Sequence, residues 1–240
     1  TILDRMNPTV EIPYFKKPWG YGNLNKNDEF NSFYINLDNQ FINNFFSSDY
    51  KFNHLVVNEK PAYVGIDVEW HQEIFNINTF APGCNAEQDH NKFLQIFIPL
   101  DAQSKKNGGL GVFLKSHQMG EIENIDILSP LLTHKRHVSE NGMKTLMSDF
   151  ELVYPDLEVG DVLFFSPLTV HGSPKNSSLN RRRSVVIQAQ SFAVPPRDEI
   201  VYQKEVDYRN AFVLNTLQNQ INFISQNSIY DDLRNKKKNE

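Results

Sequence analysis

The stretch GDVLFFSPLTVHGSPKNSSLNRRRS, Gly160 to Ser184, decides how this chain is read. Gly160 and Asp161 make a turn, Val162 to Phe165 form a short apolar run typical of a buried strand, and His171 ends the apolar segment at a loop of Gly, Ser, Pro and Asn. An imidazole at such an edge is exposed enough to bind. Segments of the same character recur in KFLQIFIPLD (92–101), GLGVFL (109–114) and RSVVIQAQSFAV (183–194). Several short strands punctuated by turn residues, without long helices alternating between them, imply an all-β sandwich or barrel rather than a parallel α/β sheet.

Upstream, VEWHQEIFN (Val68 to Asn76) carries His71 and Glu73 two residues apart in a strand-like run. Side chains at i and i+2 of a strand point the same way, so the pair can grip one object together. With His71 and Glu73, His171 completes two imidazoles and one carboxylate. That facial set holds non-haem Fe(II) and leaves positions open for a bidentate cosubstrate and O2. Thiolates would suit other metals, and the chain has a single cysteine, Cys84.

Composition limits the alternatives. With 240 residues, 40% hydrophobic and 12% aromatic, the chain has material for a well-buried core. A net charge of -5 and a pI near 5.8 give no basic field for a phosphate backbone, so nucleic acid is not an expected partner. No apolar run approaches the roughly 20 residues that span a bilayer, and TILDRMNPTVEIPYF lacks the apolar core of a signal peptide. One cysteine excludes an internal disulfide and fits a reducing compartment. A soluble, cytoplasmic protein acting on a small molecule is the expectation, with no membrane partner. The chain begins with Thr rather than Met, which suggests trimming.

No repeat or compositional break divides the sequence, and a single domain over 1–240 is expected. Its first part, about 1–50, holds a Pro-, Gly- and Asn-rich arm and then a short amphipathic helix spaced by Leu37, Phe41, Ile42, Phe45 and Phe46, with Asn36 or Asp38 as cap. The β core covers about 55–195. Phe212, Val213, Leu217, Ile221 and Ile224 then mark one face of a C-terminal helix within about 200–240, and RNKKKNE reads as a solvated tail.

These residues resemble the phytanoyl-CoA dioxygenase-like family of Fe(II)- and 2-oxoglutarate-dependent oxygenases. The likeness rests on four stretches in one order: NEKP (58–61), WHQE (70–73), NGGL (107–110) and the segment from Gly160. It spans roughly residues 55–190. The resemblance implies a double-stranded β-helix (jelly-roll) core with flanking helices, and a metal held by His71, Glu73 and His171. It also implies that Arg182, eleven residues after His171, clamps the far carboxylate of 2-oxoglutarate beside Ser173. Lys60, eleven before His71, and Gln95 are implied at the cosubstrate or substrate pocket. A planar guanidinium matches a carboxylate with two parallel hydrogen bonds, and a hydroxyl adds a third, so those roles agree with the chemistry of the groups. Two features depart from the family pattern. The acid is Glu where Asp is usual, and the loop that reads Pro-Gly-Ser-His there is LKSH (Leu114 to His117) here, without the glycine.

Glu73 also separates hydroxylation from halogenation, since related halogenases put a small residue at that position to make room for chloride. Hydroxylation of an unactivated C–H in a small polar metabolite is the expected reaction. An amino-acid derivative, a sugar or a phosphonate would suit, because nothing in the sequence reads as a coenzyme A site. Two other classes share such a fold: a non-catalytic jelly-roll binding or sensor protein, and a jelly-roll metalloenzyme that does not use 2-oxoglutarate. The intact ligand set argues against the first and the arginine against the second.

Each residue has a plainer reading as well. RRR (181–183) is a solvated charge run unless strand alternation turns Arg182 inward and its neighbours out. Lys60 reads equally as a surface lysine before a turn, and Gln95 as a residue that satisfies buried backbone groups. His134 and His137 flank Lys135 and Arg136 in a polar segment that reads either as a lid contacting an anionic substrate or, the expectation here, as a solvated loop, while His54, His90, His117 and Cys84 have no ligand-spaced partners. Phe75 and Asn76 follow the metal motif, as pocket wall or as core.

Overall fold

A computed structural model of the chain describes residues 11–12, 15–16, 20–21, 40–46, 49–63, 67–73, 85–126, 136–194, 200, 215 and 218. In chain order the elements are β1 (Glu11–Ile12), β2 (Phe15–Lys16), β3 (Gly20–Tyr21), α1 (Gln40–Phe46), β4 (Tyr50–Lys60) and β5 (Val68–His71). They continue with α2 (Ala86–Asp89), β6 (Phe93–Pro99), β7 (Gly111–Phe113), β8 (Asn124–Asp126), β9 (Arg136–Val138) and α3 (Glu140–Asp149). The last four are β10 (Leu152–Val153), β11 (Leu163–Phe165), β12 (His171–Ser173) and β13 (Arg182–Ser191).

Two antiparallel sheets carry the fold. A five-stranded sheet runs β11-β6-β13-β4-β3 and a four-stranded sheet runs β10-β7-β12-β5. Sequence-distant strands lie side by side, β13 between β4 and β6 and β12 between β5 and β7, as a jelly roll requires. The architecture is mainly β with few helices, in agreement with the expected double-stranded β-helix.

Alternation along the strands explains where the core sits. All seven residues of β6 are buried, because the strand is central and both of its faces are covered. Leu94, Ile96 and Ile98 point one way and join Leu55, Val57, Val185, Ile187 and Ala189 beneath Ile42 and Phe46 of α1. Phe97 points the other way, with Val186 and Phe165, and meets Val112 and Leu110 from the opposite sheet. That second cluster is therefore the space between the sheets. On the far side of the four-stranded sheet, Trp70, Phe113, Val170 and Leu152 pack under Leu146 and Met143 of α3. Each fully buried aliphatic or aromatic side chain here contributes about 1.5–3 kcal/mol.

Three observations differ from the sequence reading. Gly20–Tyr21 of the N-terminal arm is a short strand on the outer edge of β4. Residues 136–138 pair with β8 and pack beside β5, so His137 lies in a ribbon and not in a solvated loop. Glu140–Asp149 is a helix that the sequence reading did not anticipate; the Ser139 hydroxyl accepts the Gly142 N–H at its start. The expected cap of α1 and the C-terminal apolar face fall outside the described residues. Among the described residues no helix is long and apolar enough to cross a membrane.

Candidate metal centre

His71 is the last residue of β5 and His171 the first of β12, and the two are direct cross-strand partners. Partners in an antiparallel ladder share a face, so both imidazoles turn into the same space. Their ring centroids are 4.2 Å apart. Each Nδ1 lies on a main-chain carbonyl two residues back: His71 at 2.6 Å from the Glu69 oxygen and His171 at 2.9 Å from that of Thr169. An Nδ1 that donates there leaves Nε2 as the lone-pair nitrogen, aimed at the shared space.

Glu73 stands on the turn after β5, with its N–H donating to the Pro167 carbonyl at 2.9 Å. Its Oε1 lies 3.4 Å from His71 Nε2 and 3.7 Å from His171 Nε2. One ligand atom from each of His71, Glu73 and His171 falls within 4.8 Å of the others. Two imidazole nitrogens and a carboxylate oxygen converging this way fit Fe(II), which takes that donor set on one face. Burial, reinforced by His71, holds the His171 imidazole below its ordinary pKa against the pull of Glu73. It is therefore neutral and ready to ligate.

The frame around these ligands is dense. The Gln72 side chain, buried, donates to the Gly120 and Leu168 carbonyls at 2.8 and 2.6 Å and accepts the Ile122 N–H at 2.9 Å. It pins the turn that carries Glu73. The Ser116 hydroxyl, fully buried, accepts the N–H of Val170, the residue before His171, at 2.8 Å. Ser116 is presented by Lys115, which adopts the left-handed conformation (φ 63°) at the place where the family loop has glycine. The register shifts between His171 and Ser173, placing Ser173 opposite Val68. At Gly172, inside this irregularity, an added Cβ would meet the Val68 carbonyl at 2.9 Å and the Trp70 ring at 3.0 Å, so only glycine fits.

A second feature lies on the Ser173 side. Lys60 and Arg182 are cross-strand partners on β4 and β13, and both are buried. Lys60 Nζ donates to the Ser173 and Pro174 carbonyls at 3.1 and 2.6 Å, which carries its charge across from one sheet to the other. Arg182 Nε donates to the Gly108 carbonyl at 3.0 Å, Nη2 donates to the same oxygen, and Nη1 donates to the Ser184 hydroxyl at 3.1 Å. Gly108 has φ 81°, and a Cβ there would collide with the Lys60 stem and the Pro174 carbonyl. Among the described residues no carboxylate pairs with either cation. Burial lowers Arg182 to about 10, and burial together with the Arg182 charge lowers Lys60 to about 7. A buried guanidinium beside a buried amine, neither with a carboxylate partner among the described residues, is suited to an anion.

Gln95, 2% exposed, lies on the inner face of β6 between Phe165 of β11 and Gln188 of β13. Its Nε2 has no hydrogen-bond partner. Among the described residues that nitrogen satisfies no backbone carbonyl. Phe165 packs against the His171 ring with centroids 4.8 Å apart, which sets Gln95 at the level of the ligands.

The residues singled out in the sequence thus gather along one interior: His71 and His171, with Glu73 on the turn after β5, and Ser173 on the side of the four-stranded sheet, and Lys60, Arg182 and Gln95 on the five-stranded sheet facing it. Lys60 is buried, not a surface lysine. Arg182 turns inward as alternation required, while Arg181 is exposed. Arg183 is not simply solvated: it forms a two-pronged ion pair with Asp101, at 2.9 Å on each prong. His90 and His117 lie in short turns and are not in the cluster of His71, Glu73 and His171. Phe75, Asn76, Cys84 and His134 fall outside the described residues. Sequence reasoning missed Gln72, Gly108, Ser116 and Phe165 as parts of the site. Gly108 lay within a noted motif, but its carbonyl's role as a rest for Arg182 is invisible in one dimension.

Comparison with known proteins gives a consistent picture. A family model described as phytanoyl-CoA dioxygenase (PhyH) matches residues 35–184. No curated protein matches in sequence. Among solved structures, AviO1 from Streptomyces viridochromogenes Tue57 is similar at 20% identity and TM-score 0.52, over 80% of this chain and 76% of that one. EctD from S. alaskensis, solved with 2-oxoglutarate and 5-hydroxyectoine, is similar at 15% identity and TM-score 0.61, over 78% of this chain and 61% of that one. EvdO2 from Micromonospora carbonacea var. aurantiaca is similar at 16% identity and TM-score 0.52, over 75% and 68%. At these identities the structural likeness speaks for the fold.

Proposed function

Because the chain belongs to the phytanoyl-CoA dioxygenase family of non-haem Fe(II)- and 2-oxoglutarate-dependent oxygenases, we propose that it hydroxylates a C–H bond of a small polar metabolite, as one oxygenase domain over its 240 residues. The observation that carries this reading is the arrangement of one interior: a His71–Glu73–His171 facial set beside a buried Arg182 for which no carboxylate partner lies among the described residues. A 2-oxo dicarboxylate has a chelating end for the first and an anionic end for the second.

Bound there, iron and cosubstrate supply an oxidation in which 2-oxoglutarate becomes succinate and CO2 and the substrate gains a hydroxyl. The protein's part is positioning. His71 and His171 present Nε2 because their Nδ1 atoms are committed to main-chain carbonyls. Arg182 takes the distal carboxylate with the two guanidinium N–H groups not used on Gly108 and Ser184, and the Ser173 hydroxyl adds a bond. Lys60 supplies a second positive charge at the same end. The free amide of Gln95 donates to the 2-oxo acid end, and Phe165 forms an apolar wall that keeps water from the reacting centre. Glu73 occupies the coordination position that a halide would need, which favours hydroxylation. The EctD structure with 2-oxoglutarate supports the cosubstrate assignment by analogy of fold.

The test is succinate formation from 2-oxoglutarate with Fe(II), ascorbate and O2, comparing the wild type with His171→Ala and adding pooled metabolites. Iron-dependent turnover stimulated by one pool supports the proposal. Absence of 2-oxoglutarate binding to the iron-loaded protein overturns it in favour of a metal-binding jelly roll with another role.

A further inference from the structure

Glu69 stands two residues before His71 on β5, so the two side chains share a face of the strand. Trp70 between them turns the other way, to Phe113 and the cluster under α3. The Glu69 carboxyl is thus on the His71 side of the sheet, and its charge acts on His71 and on the buried Lys60. Its Oε2 is shut off from water, yet among the described residues no hydrogen-bond donor reaches it. Lys60 donates instead to the Ser173 and Pro174 carbonyls. A buried acceptor left without a donor is costly, and more so when it carries charge.

β5 is the edge strand of its sheet, and β9 packs beside it. Val138 of β9 is buried in the cluster under α3, so its neighbour His137 turns to the opposite side, where it interacts electrostatically with Glu69. His137 Nδ1 donates to the Val138 carbonyl at 2.9 Å, which leaves Nε2 of the neutral ring as an acceptor. A carboxylate and an imidazole nitrogen therefore stand together at the junction of β5 and β9, both accepting, and the mechanism above uses neither.

We propose that Glu69, with His137, recognises the substrate, and that the substrate is an amine: a small metabolite whose ammonium group donates to the Glu69 carboxylate while its carbon skeleton reaches the metal ligands. This deepens the oxygenase reading above and rests on it. An ammonium brings three N–H donors and a positive charge, which complement two acceptors of which one is anionic. A phosphonate would meet Glu69 and Glu73 while Arg182 and Lys60 hold the cosubstrate. A neutral sugar can donate to Glu69 but leaves its charge unmatched. Two residues of strand advance about 7 Å, so the oxidised C–H stands only a few bonds from the nitrogen. Of an amino-acid derivative, a sugar and a phosphonate, the first fits.

The experiment measures succinate formation by the full chain with Fe(II), 2-oxoglutarate, ascorbate and O2 and three probe pools: free amino acids with diamines, neutral sugars, and phosphonates. The amine pool should stimulate turnover and the other two should not, and single additions then resolve the active amine. For that amine Glu69→Gln should raise KM roughly thirtyfold or more, with kcat and 2-oxoglutarate affinity within about twofold of wild type. Acetylating the amine nitrogen should abolish the stimulation. Glu69→Gln keeps the shape of the side chain and removes an unpartnered charge, so it should melt no lower than wild type; a merely structural carboxylate would give a lower melt and an unchanged KM. Stimulation by sugars or phosphonates in place of amines, no stimulation by amines, or an unchanged KM in Glu69→Gln overturns the inference. The oxygenase reading then stands as long as the iron-loaded protein binds 2-oxoglutarate. Failure to bind 2-oxoglutarate overturns both, and a cosubstrate titration run in parallel tells the two failures apart.

Discussion

Replacing Arg182 with Met is the perturbation that best isolates the role assigned to the anion end. Of the five guanidinium N–H groups, three are spent on the Gly108 carbonyl and the Ser184 hydroxyl, which leaves two on the Nη atoms for a carboxylate. Removing one partner of a buried, hydrogen-bonded charge pair costs about 2–5 kcal/mol. At about 1.4 kcal/mol per tenfold, that is a loss of roughly 30- to 4000-fold in 2-oxoglutarate affinity. The same change has the opposite sign on the protein without cosubstrate. There the guanidinium is buried, has no carboxylate partner among the described residues, and is lowered to about 10 by burial. Met of similar length removes that desolvation cost, so the variant should melt no lower than wild type in the absence of 2-oxoglutarate. Wild type should gain about 2.7 kcal/mol at a cosubstrate concentration a hundredfold above Kd, and the variant almost none. The assays are anaerobic calorimetric titration of the Fe(II)-loaded protein with 2-oxoglutarate and thermal melts with and without it. Unchanged 2-oxoglutarate affinity in Arg182→Met, with Fe(II) still bound, would refute the reasoning.

Lys60 should make cosubstrate binding depend on pH. Its folded value, lowered from 10.5 to about 7, lies below its unfolded one, so its stability contribution is full above about 10.5 and is lost as pH falls through about 7. The cosubstrate-free protein should therefore gain stability as pH rises through neutrality. 2-Oxoglutarate affinity should fall over the same range by up to about tenfold per pH unit, because the anion needs the ammonium form; Lys60→Met should flatten both profiles in calorimetry and melts. Gly172→Ala should cost about 1–3 kcal/mol and weaken Fe(II) binding, since the Val68 carbonyl and the Trp70 ring cannot both yield without parting β5 from β12; melts and ferrous titration would check it. Lys115→Gly should raise stability by about 0.5–1 kcal/mol, the left-handed strain relieved less the added chain entropy, with 2-oxoglutarate affinity unaltered. A melting temperature below wild type would contradict that account.

How far the sequence could be read follows from which features are local. Alternation and turn residues are local, so the strands around 93–99, 163–165 and 182–191 and the inward direction of Arg182 were legible. The set of His71, Glu73 and His171 was legible from the residue types and the i, i+2 spacing of the first two, and the family resemblance supported it, whereas the pairing of β5 with β12 across a hundred residues was not legible. Gln72 was passed over because a glutamine between two ligands carries no signal until its three partners, at Gly120, Ile122 and Leu168, are brought to it by the fold. α3 was missed because Gly142 and a run of polar residues blur its periodicity, although Ser139 with Met143 and Leu146 gave a cap and a weak stripe. LKSH appeared to have lost its turn, yet the turn persists: the buried bond from Val170 to Ser116 holds Lys115 in the glycine conformation. Tertiary context there outweighs a local preference of about 1–2 kcal/mol.

The glutamate at 73 is explained by the same division between local and imposed geometry. A ligand one methylene longer than aspartate gains reach and an extra rotatable bond, and such a side chain is accurate only if its backbone is held. Here it is held twice, by its own N–H on the Pro167 carbonyl and by the three bonds of its neighbour Gln72. The Pro167 anchor and one of the three Gln72 bonds, that to Leu168, lie in the chain that leads into His171, since Pro167 and Leu168 immediately precede Thr169, whose carbonyl orients the His171 ring. The segment that positions the second imidazole therefore also fixes the distance from which Glu73 must reach. These bonds help to set the carboxylate 3.4 and 3.7 Å from the two Nε2 atoms. The β5–β12 ladder and Gln72 thus orient the ligand atoms, and the longer acid fits because the turn beneath it is fixed at Pro167, Leu168, Gly120 and Ile122.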